Sequence, residues 1–223
     1  MSNLLSRNVI KLVAFIALFL SFEVAFCGND TIPSAPQTAE EWSDKGSVAH
    51  GNGDYDEAIK CFEKAIKLNS KYAEAYNNLG YAYAVGKENY EKAIKYYKKA
   101  IKLNRNYADA YLNLGRAYHR GKQNYDKAIK CYEKSIKLNP QNAKAYNNLG
   151  YTYVICKKDY DKVMEYCNKA IELDPNYAEP YCTLSLVYAM RGDVNKVTEC
   201  LKEAAKLGNE GARLWMQRNN ISW

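Results

Sequence analysis

Few side chains of this 223-residue chain have the types and spacing that catalysis requires. The sequence has no glycine-rich phosphate loop, no cysteine pair at metal-ligand spacing and no serine on a nucleophile elbow. His50 and His119 are the only histidines, and we expect both on the solvated surface. Carboxylate pairs such as Glu40 and Asp44 occur routinely on exposed helix faces. The sequence therefore predicts a protein that is not an enzyme and needs neither a cofactor nor a metal ion.

Three asparagines have the chemistry and the spacing of a binding ladder. Asn78, Asn113 and Asn148 follow one another at intervals of 35 residues. A primary amide both donates and accepts hydrogen bonds, so a row of amides suits an extended peptide backbone of any sequence. Each such bond contributes only about 1 kcal/mol net, so neighbouring side chains must supply the selectivity. Alternatively, the three amides belong to the repeat itself and form hydrogen bonds locally.

These asparagines lie in a segment that the chain repeats. Four copies read EAYNNLGYAY, DAYLNLGRAY, KAYNNLGYTY and EPYCTLSLVY. The anchor residues of five units lie 34, 35, 35 and 35 residues apart, at Gly46, Gly80, Gly115, Gly150 and Ser185. Cap residues predict the start of each second helix, at Asp54, Asn89, Asn124, Asp159 and Asp193. Pro140 and Pro175 are expected to begin first helices. This period predicts tandem helix pairs.

The units resemble tetratricopeptide repeats. The resemblance rests on first-helix and second-helix residues such as Tyr76, Leu79, Gly80, Tyr83, Ala93, Tyr97 and Ala100. It implies an all-α fold, a right-handed α-solenoid of tandem antiparallel helix pairs. The five units would occupy residues 39–72, 73–107, 108–142, 143–177 and 178–208. Small residues such as Gly80 and Ala93 should let the paired backbones approach, with the ring of Tyr83 filling the gap.

The end of the chain is expected to close the solenoid. Ala212, Trp215 and Met216 fall on one helical face, so residues 209–223 predict a C-terminal capping helix and tail. The preceding run EAAKLGNEGA is also similar to the related Sel1-like repeats.

The resemblance also implies where a partner would bind. In tetratricopeptide proteins the first helices line a concave groove, and the residue two before the glycine points into it. Here that residue is each asparagine of the ladder. Charged and aromatic residues that differ between units complete the predicted peptide-binding groove: Tyr81, Tyr151, Arg116, His119, Arg120 and Lys144. We expect an extended segment whose acidic part lies beside Arg116 and Arg120.

One family mode of binding is not expected. Chaperone-linked members clamp a C-terminal carboxylate with Lys and Arg at fixed first-helix positions across three units. In the best register Lys144 and Asn113 match that pattern, but the remaining places hold Asn77, Tyr81 and Asn148. The leading hypothesis is therefore an exported protein–protein interaction scaffold that binds partner proteins or extended peptides in its concave groove.

The amino terminus has the pattern of an export signal. A basic flank precedes an apolar run at residues 12–22, whose length suits a signal-peptide core better than a bilayer span of about 20 residues. We expect a signal peptide at 1–27 and a polar linker at 28–38, with a secreted or periplasmic mature protein. Lipidation of Cys27 would instead make a membrane-anchored lipoprotein, although Phe26 occupies a site that normally holds a small residue. An uncleaved signal anchor is the remaining alternative.

The chain is basic, with a formal net charge of +7. Lysines recur at helical spacing in three second helices, at Lys60, Lys64, Lys67, Lys95, Lys98, Lys102, Lys130, Lys134 and Lys137. They form either a solvated outer face or, as an alternative function, a basic convex face that binds an anionic membrane or glycan surface. No nucleic-acid partner is expected outside the cytoplasm.

The seven cysteines do not have the placement of a disulfide framework. Cys61, Cys131 and Cys200 take one position in alternate units, about 20 Å apart, which is too far for a bridge. They are expected to pack as core residues. The remaining candidates, Cys156, Cys167 and Cys182, leave room for one bridge.

Overall fold

The structure is a computed structural model that describes residues 38–223. The predicted signal peptide, Cys27 and all but the last residue of the predicted linker lie outside the described residues. Within them the chain forms eleven α-helices and no strand. Their bounds are α1 Ala39–Gly51, α2 Tyr55–Leu68, α3 Ala73–Gly86, α4 Tyr90–Leu103, α5 Ala108–Lys122, α6 Tyr125–Leu138, α7 Ala143–Cys156, α8 Tyr160–Leu173, α9 Glu179–Met190, α10 Val194–Lys206 and α11 Glu210–Arg218.

Consecutive helices pack as antiparallel pairs that stack on one another. The pairs run from α1 with α2 to α9 with α10, and α11 packs on α10 at the end of the stack. The first helices of neighbouring units also contact each other, whereas no comparable contact joins second helices in the described part of the chain. Because the first helices approach more closely, they line the concave side and the second helices line the convex side. The predicted all-α solenoid is confirmed.

Polar caps start the second helices, as the sequence predicts. The side-chain oxygen of the residue before each second helix accepts a hydrogen bond from a backbone N–H three residues later. These bonds measure 3.0 to 3.3 Å and involve Asp54, Asn89, Asn124, Asp159 and Asp193. At the start of α1, Thr38 and Glu41 form a reciprocal capping box.

The prolines lie elsewhere than expected. The prediction that Pro140 and Pro175 begin first helices is wrong, because α7 begins at Ala143 and α9 at Glu179. Both prolines lie in turns between units. In these turns the preceding side chain, Asn139 or Asp174, accepts a hydrogen bond of 3.1 Å from the N–H two residues later. The fixed φ of proline suits such a turn as well as it suits a helix start.

A tight turn joins the two helices of each unit. The residue just before the second-helix cap has a positive φ in all five units: Gly53 at 80°, Glu88 at 48°, Gln123 at 46°, Lys158 at 53° and Gly192 at 75°. The first and last units use glycine there. The three middle units, whose turns contain one more residue, place a side chain in this left-handed conformation, which costs about 1 kcal/mol or more.

The anchor glycines let each helix pair pack closely. A Cβ atom added at Gly80 would lie 2.9 Å from the ring of Tyr97, and one added at Gly115 would lie 2.5 Å from Cε1 of Tyr132. The ring that fills the gap therefore belongs to the second helix, and the prediction that Tyr83 fills it is wrong. Tyr83 stacks instead on Tyr96, with ring centroids 5.6 Å apart. Helical periodicity gives both tyrosines a packed face and does not say which one meets the glycine.

Four equivalent ion pairs cross the junctions between units. In each, a carboxylate in the first turn of a second helix meets a base at the end of the next first helix: Asp56 with Lys87, Glu91 with Lys122, Asp126 with Lys157 and Asp161 with Arg191. The lysine partner lowers the pKa of the first three carboxyls, both by its hydrogen bond and by its charge. Each exposed pair stabilises the fold little.

The six cysteines of the described residues are free thiols. Cys61 and Cys167 are fully buried, and burial raises the pKa of Cys167 to about 12. Cys131 and Cys200 are half-buried. Within residues 38–223, no helix is both long and apolar enough to cross a bilayer, and no group of three or more His, Cys, Asp or Glu side chains is arranged to hold a metal ion.

Candidate binding groove

The concave side contains a groove of about 970 Å³ that reaches from α3 to the capping helix α11. Seven of the nine residues predicted for the binding groove line it together: Tyr81, Arg116, His119, Arg120, Lys144, Asn148 and Tyr151. The first helices α5 and α7 supply six of these side chains, three from each helix.

The other two predicted residues line an adjoining cavity. Asn78 and Asn113 border a space of about 740 Å³ nearer the amino-terminal end of the stack. The two cavities share four lining residues: Tyr81, Leu112, Arg116 and Lys144. The ladder of three asparagines is therefore divided between two neighbouring spaces.

Local hydrogen bonds engage part of the ladder. Asn113 donates from Nδ2 to Oδ1 of Asn77 at 3.1 Å, and Asn77 donates to Oδ1 of Asn78 at 3.2 Å. Asn77 is buried, so its amide needs partners inside the protein. In these two units the amides bond locally, which was the alternative interpretation of the sequence.

The same junction recurs two units later with different residues. Buried Asn147, equivalent to Asn77, accepts from the hydroxyl of Thr183 at 2.9 Å and donates to the hydroxyl of Tyr177 at 3.4 Å. Thr183 is equivalent to Asn113. Sequence reasoning missed this pattern, in which the residue three before one anchor bonds to the residue two before the next.

Asn148 is the member of the ladder with a free amide. The residue that would pair with it in the preceding unit is Leu112, whose side chain has no polar atom. The backbone carbonyl of Asn148 accepts a hydrogen bond from the hydroxyl of Thr152 at 2.7 Å. Its side-chain amide has no hydrogen-bond partner among the described residues, and it borders the larger groove.

His119 stands in the wall of this groove rather than on the solvated surface. Its ring stacks on Tyr151 with centroids 5.5 Å apart and meets Tyr125 edge-on at 5.2 Å. Nδ1 lies 2.9 Å from Oγ1 of Thr152, whose hydroxyl proton already goes to the Asn148 carbonyl. Nδ1 therefore carries the proton that it donates to Thr152, and Nε2 is left as an acceptor. Burial, helped by the charge of Arg120, lowers the pKa of His119.

His50 repeats this arrangement two units earlier. It packs edge-on against Tyr55 at 5.2 Å and against Tyr81 at 5.0 Å. Its Nε2 atom is buried without a hydrogen-bond partner, and burial lowers its pKa. The expectation of solvated histidines is wrong for both, because a tyrosine of the following unit lies over each ring.

Arg116 is a half-buried cation in the centre of the groove. Burial raises the pKa values of Tyr97, Tyr132 and Tyr177, and the nearby Arg116 charge opposes the increase in each case. The guanidinium group thus lies among three tyrosines and forms no ion pair with any described residue. Arg120 and Lys144 also have no ion pair there. The one carboxylate among the residues that line the larger groove is Glu179.

Sequence reasoning did not place the capping helix in this groove. Trp215 of α11 lines it together with Leu186 and Leu201 of the last unit. Trp215 was expected only to cover the end of the stack. Its type and helical face were visible in the sequence, but the angle at which α11 meets α10 was not.

Comparison with known proteins identifies the repeat. A family model described as "TPR repeat" matches residues 46–86, 85–121 and 120–154. Two models described as "Tetratricopeptide repeat" match residues 143–177 and 166–197. Together these matches span well over half of the chain.

Three solved structures share this fold over nearly their whole length. A crystal structure of MamA is 28% identical, with a TM-score of 0.62, and the match covers 75% of this chain and 96% of that one. TTC0263, a TPR protein of Thermus thermophilus, is 20% identical, with a TM-score of 0.67 and coverage of 82% and 98%. The first TPR domain of Spaghetti (RPAP3), bound to the HSP90 peptide SRMEEVD, is 29% identical, with a TM-score of 0.52 and coverage of 55% and 96%.

Proposed function

The chain belongs to the tetratricopeptide repeat family, and we propose that it is an exported interaction scaffold that holds an extended, acidic segment of a partner protein in its concave groove. Proteins of this family are generally non-catalytic scaffolds, and a relative of similar fold is described with a bound peptide. Export is the part of the proposal that rests on sequence alone, through the apolar run at residues 12–22.

The observation that carries the proposal is the unpaired Arg116. A half-buried guanidinium group is strongly favoured by a partner carboxylate that accepts two hydrogen bonds from it. Elsewhere along the stack, bases at the ends of first helices have acidic partners, as Lys87 and Lys157 do. Arg116, Arg120 and Lys144 face the groove without one, so a carboxylate from a partner would complete them.

The neighbouring groups suit an extended backbone. The free amide of Asn148 can bond to a peptide group, and the exposed ring of Tyr151 and the indole of Trp215 offer apolar surface beside it. The segment need not end there. The clamp that chaperone-linked members use for a terminal carboxylate is incomplete here, because its pattern is not matched at Asn77, Tyr81 and Asn148. We therefore propose an internal segment rather than a chaperone tail.

A peptide array tests the proposal. The array would carry 15-residue peptides without a free terminal carboxylate, in acidic, neutral and basic sets. It would be probed with the wild type, with Arg116→Gln/Arg120→Gln and with the control Lys95→Gln/Lys130→Gln. The control removes the same charge from the convex side. We expect acidic peptides to be retained by the wild type and the control, and to bind about tenfold or more weakly to the arginine variant. Equal binding by the two double variants would refute the groove.

Two asparagine variants separate binding from folding. Asn148→Ala should weaken peptide binding by about 1 kcal/mol and leave the free energy of unfolding unchanged, because its amide is free. Asn113→Ala should instead lower the free energy of unfolding by about 1–3 kcal/mol, because it leaves buried Asn77 short of a partner. Urea denaturation and peptide titration measure the two effects. The reverse pattern would assign the ligand to the amino-terminal cavity.

Export has its own test. The mass of the protein recovered from the periplasm or medium of an exporting host should correspond to a chain that begins at residue 28. Recovery of the intact chain in the cytoplasm would remove export from the proposal without affecting the groove.

A further inference from the structure

Nine lysines form a regular grid on the convex side of the stack, away from the groove. They take the same three positions in α2, α4 and α6: Lys60, Lys64 and Lys67, then Lys95, Lys99 and Lys102, then Lys130, Lys134 and Lys137. We call these nine residues the lysine grid. Lys99, rather than Lys98, is the residue equivalent to Lys64 and Lys134. All nine side chains are exposed except that of Lys134, which is half-buried.

The grid positions lie opposite the buried stripe of each second helix. The buried stripe of α4 runs through Ala93, Tyr97 and Ala100. Each grid lysine of α4 follows one of these by two residues, which is a rotation of about 200° around the helix. The same offset holds in α2 and α6. The middle lysines lean toward first helices, since Nζ of Lys64 lies 4.0 Å from the ring centroid of Trp42 and Nζ of Lys99 lies 5.8 Å from that of Tyr76.

Two exposed glutamates lie among the grid lysines, Glu63 of α2 and Glu133 of α6, at the position where α4 has Lys98. Helix α4 has five lysines and one acidic residue, Glu91, which is bound to Lys122 across the unit junction. In α6 the first-turn Asp126 is likewise bound to Lys157. Within the part of the chain that the structure describes, the one ion pair made by the grid is that of Lys60 with Glu57, at 3.8 Å.

The grid ends sharply at the fourth unit. In α8, Glu165 and Glu172 occupy the first and third grid positions, so two of the three charges reverse. The same helix framework therefore carries a positive surface on the three units next to the amino-terminal segment and a mixed surface beyond them.

We propose that the lysine grid binds a membrane surface of anionic lipid headgroups. The ammonium groups spread in two dimensions, along each helix and across three helices, which matches a plane of headgroups; a linear polyanion would follow one row and leave the others unmatched. Lysine acts as a point charge on a flexible stem and lacks the bidentate geometry of arginine. Binding by charge alone, without apolar insertion, is the expected mode.

The orientation of the grid agrees with a membrane partner. With the convex side on the membrane, the concave groove faces the opposite way and stays open to a partner.

Vesicle sedimentation tests the proposal with the protein as purified from an exporting host. Vesicles of phosphatidylcholine with 30% phosphatidylglycerol would be compared with pure phosphatidylcholine, at low and high salt. The test variant is Lys95→Gln/Lys99→Gln/Lys102→Gln on α4. The matched control removes three lysines from α10, as Lys196→Gln/Lys202→Gln/Lys206→Gln. A third variant, Glu165→Lys/Glu172→Lys, extends the grid by one helix.

We expect binding that requires phosphatidylglycerol and falls steeply with salt. Each grid lysine should contribute up to about fivefold, so the α4 variant should bind at least tenfold more weakly, while the α10 control changes less than threefold. The Glu165→Lys/Glu172→Lys variant should bind more tightly, a gain that misfolding does not produce. Equal losses in the α4 and α10 variants, binding that phosphatidylglycerol does not increase, or binding to heparin or DNA but not to vesicles would each overturn the proposal. Arg116→Gln/Arg120→Gln should bind vesicles normally, so failure of the groove and failure of the grid can be told apart.

Discussion

The first three units and the last two fill the space between their paired helices differently. In the first three, the anchor glycine faces an aromatic ring of the second helix: Phe62 over Gly46, Tyr97 over Gly80 and Tyr132 over Gly115. In the fourth unit Cys167 replaces the ring, and a Cβ added at Gly150 would meet its sulfur at 3.3 Å. In the fifth, the anchor is already a serine, whose hydroxyl donates to the carbonyl of Cys182 at 2.7 Å.

The difference shows that the glycine is required by the ring and not by the helix pair itself. A ring packed on the first-helix backbone leaves no space for a Cβ atom. The smaller sulfur atom of a cysteine leaves almost enough space for one. The aromatic units are also those that carry the lysine grid. At the other end, the fifth unit and the capping helix α11 close the groove with Leu186, Leu201 and Trp215.

The largest effect is expected when a side chain is forced against a ring. Gly115→Leu should lower the free energy of unfolding by roughly 1–3 kcal/mol through overpacking against Tyr132. Urea denaturation measures the change. Gly51→Leu is the matched control, because a Cβ there meets no atom within 4 Å. An unchanged midpoint for Gly115→Leu would contradict the packing described for the aromatic units.

A double-mutant cycle transfers the fourth-unit arrangement into the third. Gly115→Ala should be destabilising in the wild type but close to neutral when Tyr132→Cys is also present, with a coupling energy of about 1–2 kcal/mol. The single change Tyr132→Cys destabilises by itself, since it leaves a cavity. Additive effects of the two substitutions would mean that the ring does not set the requirement for glycine.

The smallest effect is expected in the fourth unit itself. Gly150→Ala should raise the free energy of unfolding by less than about 1 kcal/mol, because alanine favours the helix more than glycine does. The added Cβ would lie 3.3 Å from Cys167 and 3.4 Å from Tyr166, distances only slightly shorter than ordinary van der Waals contacts. Thermal or urea unfolding of both variants should show stability changes of opposite sign for Gly150→Ala and Gly115→Ala. A loss as large as that of Gly115→Ala would remove the contrast between the two regions.

Most of the fold was predictable from local signals. Helix pairs, their caps at residues such as Asp54 and Asn89, and the capping helix followed from the period and from side chains that bond to nearby backbone groups. The roles of Tyr83 and Tyr97 were exchanged, because both lie on packed faces and only the crossing of the two helices decides which meets the glycine. Pro140 was assigned to a helix start because the fixed φ of proline fits both the first turn of a helix and a turn between helices.

The groove was predictable in part. Seven of its predicted residues do lie around one cavity. What the sequence did not separate was the free amide of Asn148 from the bonded amide of Asn113, since the difference depends on whether Asn77 or Leu112 stands opposite in the neighbouring unit. The histidines were misplaced for the same reason, because their tyrosine partners belong to the next unit.

By itself the sequence determined the solenoid, since a 35-residue period of capped, amphipathic helices has one way to bury its apolar faces, which is to stack. It also determined which units carry the lysine grid, because equivalent positions in a repeat share a face. Only the tertiary structure decided which polar groups are satisfied and which are left free. Hydrogen bonds and ring contacts across unit junctions depend on side chains that are about 30 to 36 residues apart in the chain but in contact in space.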